Sequence, residues 1–412
     1  MIFTRLKSCG ACYAVCIGIE LDIFRKLLEK RIAHGFIFLC RCVWRSSAIK
    51  DFFILLIPET TIVIPSFNGL HLLKICLHSI DNQTFRAFEV VLVDNGSGDG
   101  TADWVKRHYP TIEIIRFSVN KGFSAAVNEG IRRSKSRYIF LLNNDTELDP
   151  ACLEILIQTA DANGRYASFA PKMIQYHNRK MLDGAGDGVF RGGGGYRLGT
   201  QEPDSALWDH PGRVFGACAG AALYRRAFFE EAGMFDEDFF AYLEDVDINF
   251  RATRLGLWCL YVPGARVYHM GSQTSGSRLN TFTVCWTTQN MIRVLVHNYP
   301  SSILLRQWPV IMLHHFGWLF MMIFRRQFPS YLKGIRSAFR SFPAMLKKRN
   351  QWSARKTIPD SLFWGMVVQS ENDIMVSTLR RRGFRGQYAE LIRLYMKIFN
   401  ERNSGKNMVR AE

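Results

Sequence analysis

The chain has 412 residues, 48% apolar and 22% charged, which excludes a disordered or collagen-like protein and leaves room for two or three domains. Its net charge of +17 is uneven: residues 1–58 carry nine lysines and arginines against four acids, residues 59–299 carry 24 against 26, and residues 300–412 carry 20 against 6. That distribution disfavours a uniformly basic nucleic-acid binder and suits a near-neutral catalytic domain held to an anionic surface.

Residues 1–58 alternate short apolar runs with basic residues, and no run reaches the roughly 20 residues that span a bilayer. Arg5 and Lys7 before Cys9–Ile19 resemble the start of a signal peptide, but a small-residue cleavage site is missing and Glu20 and Asp22 follow at once. We read 1–58 as a leader of unknown role, either an apolar, basic helical segment or a start placed too far upstream. Cys9, Cys12, Cys16, Cys40 and Cys42 lack a second pair of ligands that would complete a zinc site, so they read as reduced thiols.

From residue 60 strands and helices alternate. Thr60–Pro65 predicts a buried strand, Leu70–Ile80 a helix, Phe88–Val93 a strand, and Thr101–His108 a helix. Ile112–Phe117, Ser124–Arg133 and Tyr138–Leu142 continue as strand, helix and strand. Such βαβ units imply a doubly wound, mostly parallel α/β sheet flanked by helices. Ligands sit at the carboxyl ends of such strands; here those ends carry Ser66 to Asn68, Asp94, Asn120 to Gly122 and Asn143 to Asp145. Gly-x-Gly-x-x-Gly and the P-loop pattern are both missing, which argues against dinucleotide and P-loop folds.

Asp94 either closes its strand with an Asx-turn or accepts hydrogen bonds from a uracil or thymine imide or a ribose hydroxyl. Asp145 suits a hard cation that also holds a diphosphate. The glycine-rich stretch from Asp183 to Gly195 reads as a mobile loop over the ligand site. In Glu244-Asp245-Val246-Asp247, the spacing of Leu243, Val246 and Phe250 leaves the acids on the helix surface, with Asp247 able to pair with Arg251 at i+4. Glu244 and Asp245 have no such partner, and one of them suits a general base. His269 ends an apolar stretch as a structural residue or metal ligand. Trp308–Phe324 is 17 residues without formal charge, read as an interfacial, re-entrant or weakly spanning helix, and the basic residues after it suit an anionic leaflet.

Seven segments in order resemble the family 2 glycosyltransferases of the GT-A fold: Val63 to Asn68, Val93 to Ser97, Asn120 to Asn128, Leu142 to Asp145, Gly233 to Glu237, Tyr242 to Asp247 and Val267 to His269. Within the family the chain looks most like the bacterial rhamnosyltransferase-like branch that builds cell-surface polysaccharide. The resemblance implies a GT-A domain over 59–299 and a basic, helical, membrane-associating region over 300–412. It places Pro65, Ser66, Asn68, Asp94, Asn120, Gly122 and Asn144 at the nucleotide donor. It makes Asp145 and His269 ligands of Mg²⁺ or Mn²⁺, Asp245 the catalytic base, and Glu244 its neighbour at the acceptor. The expected reaction is inverting transfer of one sugar from dTDP-rhamnose or another dTDP- or UDP-sugar to a saccharide acceptor, polyprenyl-linked, at the cytoplasmic face of the cell membrane, with no nucleic-acid partner. The competing expectation is a catalytically silent nucleotide-sugar or glycan binder on the same fold. Asn143-Asn144-Asp145 departs from the family's D-x-D pattern, and Gln289 to Val294 lacks the tryptophan of processive synthases.

Overall fold

The computed structural model describes residues 58–271, 279–353, 355–381, 383 and 387–400. The leader with its five cysteines, through residue 57, lies outside them, as does Arg382 in the basic tail.

The first half builds the sheet. In chain order come β1 (Thr60–Ser66), α1 (Leu70–Asp81), β2 (Phe88–Asp94), α2 (Thr101–His108), β3 (Glu113–Arg116), α3 (Phe123–Arg133), β4 (Tyr138–Leu142), β5 (Thr146–Leu148), α4 (Cys152–Ala162) and β6 (Tyr166–Gln175). Then follow β7 (Leu182–Gly184), β8 (Asp187–Val189), β9 (Gly195–Arg197), β10 (Gly212–Val214), β11 (Ala221–Arg225), α5 (Arg226–Ala232), α6 (Glu244–Arg254) and β12 (Trp258–His269). Five helices close the described chain: α7 (Thr281–Asn298), α8 (Ser301–Phe324), α9 (Phe328–Ser353), α10 (Asp360–Arg381) and α11 (Gln387–Asn400).

The main sheet runs β10-β12-β6-β11-β4-β1-β2-β3, with β5 on β12 and β7 on β6, while β8 and β9 form a separate hairpin. β1 pairs in parallel with both β2 and β4, and β11 enters antiparallel between β4 and β6. The unbroken apolar runs have a simple cause. Along β1, Ile62 and Ile64 enter one core beneath α1 and α4, while Val63 enters the other beneath α3 and α5. β4 splits the same way, Phe140 to the first core and Ile139 and Leu141 to the second, and all its residues are buried. Burying each such side chain contributes about 1.5–3 kcal/mol. The mixed α/β architecture with a helical C-terminal region is as the sequence led us to expect.

Two expectations fail here. The stretch from Asp183 to Gly195 is not a mobile loop. It forms β7, β8 and the start of β9, and most of it is buried. Its glycines serve close packing instead: a Cβ on Gly195 would lie 2.5 Å from Val246 Cγ2. The acids of α6 are not on the surface either, since Glu244 and Asp247 are both buried. The reason is the C-terminal helices. Val246 and Phe250 of α6 share a core with Val294 of α7, Ile303 and Val310 of α8, and Phe363 of α10; Asn298 of α7 reaches Asp247 at 2.8 Å, and Ile248 and Ala252 enter the second core of the sheet, so neither side of α6 is left to water.

Trp308–Phe324 lies within α8, and among the described residues no helix is long and apolar enough to cross a membrane, which removes the weakly spanning alternative. The helix nevertheless leaves large apolar side chains in solvent, including Leu305 at 78% and Phe324 at 84% exposure.

Candidate active site

The carboxyl ends of β1, β2 and β4 form one polar edge. Ser66 lies beside Asp94 in the parallel register, and Asn144 Nδ2 donates to Ser66 Oγ at 2.9 Å. Asp94 is fully buried; its Oδ1 accepts from the amide of Ser97, three residues on, at 2.9 Å and so closes the strand end locally, while Oδ2 faces Arg116 Nε at 3.4 Å. Asn68 adopts φ +49° and its Oδ1 accepts from the Gly98 amide at 2.8 Å, so it braces the turn after Asp94. Asn95 ties in the next strand end, donating to Asn120 Oδ1 at 3.0 Å and Gly122 O at 3.1 Å. Gly122, at φ +88°, lies so close to Phe240 that a Cβ would meet its carbonyl oxygen at 2.5 Å. Through that contact the donor-side loop touches the segment that carries the acids. Pro65 pairs beside Val93 on the same edge.

The second group surrounds His269. Register between β5 and β12 sets Thr146 opposite His269, which brings Asp145 Oδ2 to 3.5 Å from His269 Nε2. On the other side of the ring, His269 Nδ1 lies 2.8 Å from Asp183 Oδ2. Burial would depress the imidazole, but Asp145 and Asp183 outweigh it and lift His269 to about 9. A carboxylate on one imidazole nitrogen orients the other toward a metal. Asp145 Oδ1 is buried and without a hydrogen-bond partner. An orphaned carboxylate oxygen beside an oriented imidazole nitrogen fits a divalent cation that displaces the imidazole proton as it binds.

The third group is the acid pair. Phe240, Tyr242 and Leu243 all hold positive φ, at 59°, 69° and 65°, immediately before α6. Such backbone costs of order 1–3 kcal/mol per residue and persists only where its surroundings impose it. Asn290 of α7 imposes it, its Nδ2 donating to the carbonyls of Phe239 at 3.0 Å, Ala241 at 3.0 Å and Tyr242 at 2.8 Å. Asp247 pairs with Arg251 at 2.9 Å, as its spacing led us to expect, and also accepts from Asn298 at 2.8 Å. Its carboxyl is therefore held well below the usual range despite burial, through Arg251 above all. Asp247 does not share the raised proton affinity of its neighbours.

What joins the second group to the third is a residue the sequence reading missed. Arg197, at the end of β9, contacts Asp183 through Nη1, lies 3.3 Å from His269 Nδ1, and interacts electrostatically with Asp187 and Asp245. Asp187, Cys218 and Asp245 bring their ligand atoms within 4.8 Å of one another. That set also has metal-binding atoms, and Arg197 stands between it and His269, so the network offers two places for a cation, one at Asp145 and His269 and one among Asp187, Cys218 and Asp245. Asp183, Asp187 and Arg197 all sit in or just after the glycine-rich stretch. Two acids among so many glycines are the one sequence signal that marks them, since close-packed backbone beside a charge is unusual for a flexible loop.

Burial raises the Asp245 carboxyl, while the Val246 amide and Arg197 oppose the shift. Burial and then Asp245 push Glu244 up to about 8 from an ordinary 4.5, and Glu244 Oε2 is buried without a partner. A carboxyl raised in this way holds a transferred proton more firmly, which suits a base. The linkage has a definite sign. The unfolded chain ionises this glutamate near 4.5 and the folded chain keeps its proton to about 8. Stability present below 4.5 is therefore lost as pH rises through that window. Glu244→Gln should melt close to wild type at pH 4.5 and roughly 5 °C higher at pH 8. Parallel pH curves for the two proteins, by calorimetry, would refute the buried proton.

Residues 61–233 match the family described as Glycosyl transferase family 2. A PGL/p-HBAD biosynthesis glycosyltransferase of Mycobacterium bovis is 30% identical over 201 residues, covering 47% of this chain and 69% of that protein. The chain belongs to glycosyl transferase family 2. This glycosyltransferase is also similar to the N-acetylglucosaminyl-diphospho-decaprenol L-rhamnosyltransferase of Mycobacterium tuberculosis, 29% identical over 231 residues that make up 50% of this chain and 74% of the relative. A solved structure of GalNAc-T7 with UDP, GalNAc and Mn²⁺ is 19% identical, with a TM-score of 0.48 over 58% of this chain. The chain spans about half of that structure, 48% of its length.

Proposed function

We propose that this glycosyltransferase moves one sugar, with inversion, from a nucleoside-diphosphate sugar, dTDP-rhamnose or another dTDP- or UDP-sugar, to a saccharide carried on a polyprenyl diphosphate at the cytoplasmic face of the cell membrane. The observation that carries this reading is the run of contacts from Asp145 through His269 and Asp183 to Arg197, whose charge acts on Asp245, so that a cation-type site and a candidate base share one polar neighbourhood. The similar mycobacterial rhamnosyltransferase, named for a decaprenol-diphosphate acceptor, supports the lipid-linked substrate and a role in cell-surface polysaccharide synthesis.

The chemistry follows from the residues. Asp94, Asn68 and Ser66 line the edge where base and ribose bind, and Asn120 and Gly122 close it. Asp145 and His269 would hold Mg²⁺ or Mn²⁺, which when bound offsets the charge of the departing diphosphate. Asp245 takes the proton of the acceptor hydroxyl as its oxygen bonds to the anomeric carbon. The bond to the diphosphate oxygen breaks on the opposite face, and the diphosphate leaves with the electron pair. Arg197 steadies the ionised Asp245 between turnovers, and Glu244 beside it faces the acceptor.

A screen of dTDP- and UDP-sugars with Mn²⁺ or Mg²⁺ tests the donor assignment. One donor at 100 times its Kd should add about 2.7 kcal/mol to native stability, and Asp145→Asn should lose the metal-dependent part. No stabilisation by any donor would refute it. The membrane side rests on α8 and α9, which expose Trp308, Phe316, Phe320 and Phe339 beside Arg325, Arg326, Arg336 and Arg340. Apolar side chains flanked by cations suit an interfacial helix on anionic lipid. Sedimentation with phosphatidylglycerol vesicles should be lost in Phe316→Glu/Phe320→Glu; retention would show that another surface binds.

A further inference from the structure

A second cleft lies apart from the polar network, where α6 and the end of α7 meet the last turns of α9 and the segment after it. It is lined by Arg251, Arg254, His297, Arg349, Arg355 and Lys356, with Trp352 at its side, and offers about 40 Å³ to the centres of water-sized spheres. That is room for a few waters or one phosphate group.

Its charges do not balance. Arg251 pairs with Asp247, while Arg254 at 3.4 Å and Lys356 at 3.1 Å share the single carboxylate of Asp360. Among the described residues Arg349 has no carboxylate partner; it donates to Val296 O at 3.1 Å and Ser301 Oγ at 2.8 Å. Arg355 likewise has none and lies 5.9 Å from the Trp352 ring. Burial, and for Arg254 also the neighbouring Arg349 cation, hold both guanidinium groups below the usual arginine range.

Two deeper groups lack acceptors. Arg251 is 3% exposed and its guanidinium lies over Trp352 at 4.4 Å; Nε and Nη1 are bonded to Asp247 and the Ala232 carbonyl, yet the buried Nη2 has no partner. His297, also 3% exposed, has Nδ1 at 3.3 Å from Asp247 and a buried Nε2 without a partner. Buried polar nitrogens left unpaired are costly, so a ligand that answers them is favoured. An anion with several oxygens on one centre answers two such nitrogens and two unpaired guanidinium groups together, which a single carboxylate does less well.

We propose that this cleft binds a phosphate group, either free or at the head of an anionic lipid, at a site separate from the catalytic centre. Bound there, it ties α9 to α6 two residues beyond Asp245, through the Arg251–Asp247 pair, and so links the C-terminal helices to the helix bearing the acids.

The test compares wild type, Arg349→Gln/Arg355→Gln, and Lys106→Gln/Arg107→Gln, which removes the same charge from exposed positions on α2. Each protein is melted in inorganic phosphate and in chloride of equal ionic strength, and titrated with phosphatidylcholine vesicles with and without about one-third phosphatidylglycerol. Each shift is read against that variant's own chloride baseline, so altered stability does not obscure it. A free-phosphate site predicts a phosphate-specific rise of about 3 °C, kept by the 106/107 pair and lost by the 349/355 pair. A lipid-headgroup site predicts no such rise, but a roughly tenfold greater loss of phosphatidylglycerol-dependent binding in the 349/355 pair than in the 106/107 pair. Equal effects of the two pairs in both assays, or a phosphate shift that survives in Arg349→Gln/Arg355→Gln, would overturn the proposal.

Discussion

Asp245→Asn should lower kcat by a factor of about 10²–10⁴, the usual contribution of a positioned base, while leaving donor affinity close to that of the wild type. The residue sits at the start of α6 with its Oδ1 held by the Val246 amide at 2.8 Å, an interaction that asparagine can keep through its carbonyl oxygen. The residues assigned to the donor, Asp94, Asn68 and Asp145, belong to other strand ends and are untouched by the change. What asparagine cannot do is accept the acceptor's proton. Single-turnover kinetics should thus show slow transfer after normal donor binding. Turnover within a few-fold of wild type would transfer the base role to Asp187 or Glu244, which share the same buried surroundings.

The second large effect is on stability. Glu371→Gln should cost about 3–5 kcal/mol in urea unfolding, because it removes the carboxylate of a buried ion pair. Arg191 and Glu371 are each 1% exposed and pair through Arg191 Nε; Glu371 also accepts from the Arg191 amide at 3.1 Å and the Tyr395 hydroxyl at 2.9 Å. This pair fastens the glycine-rich segment to α10, as do Ser370 on the Val189 amide at 2.8 Å and Ser377 on the Gly199 amide at 3.1 Å. Since β8 and β9 carry Asp187 and Arg197, the same substitution should lower kcat under conditions where the protein remains folded. The exposed pair Glu390–Arg393 provides the contrast, and Glu390→Gln should leave the urea midpoint unchanged. If Glu371→Gln behaved like that surface variant, the C-terminal helices would not support the site.

The parallel half of the fold could be read from the chain because each strand from β1 to β4 is a short apolar run closed by turn residues, with an amphipathic helix between. Asp94, Asp145 and His269 were legible for the same reason: each ends a strand, and strand ends converge on one edge. Arg197, Asp183 and Asp187 were not, because glycine density normally signals freedom of the backbone. Here α6, α8 and α10 press so closely on the segment that side chains would not fit, and glycine is what remains. The acids of α6 were misplaced by a related cause. A helix whose apolar stripe is Leu243, Val246 and Phe250 looks like a surface helix resting on that stripe; in the fold, helices some 50 to 120 residues later cover the stripe, while Ile248 and Ala252 turn into the core of the sheet. Only Asp247, whose partner lies four residues along the same helix, could be assigned from local spacing.

The central claim is that a cation held by Asp145 and His269 and a base at Asp245 act in one site. A crystal soaked with Mn²⁺ and a nucleoside diphosphate, measured at the manganese absorption edge, tests it most directly. The prediction is one anomalous peak at about 2.1 Å from an Asp145 oxygen, on the Nε2 side of His269 and shared with the diphosphate. A peak instead among Asp187, Cys218 and Asp245, or diphosphate bound with no manganese near Asp145, would contradict it.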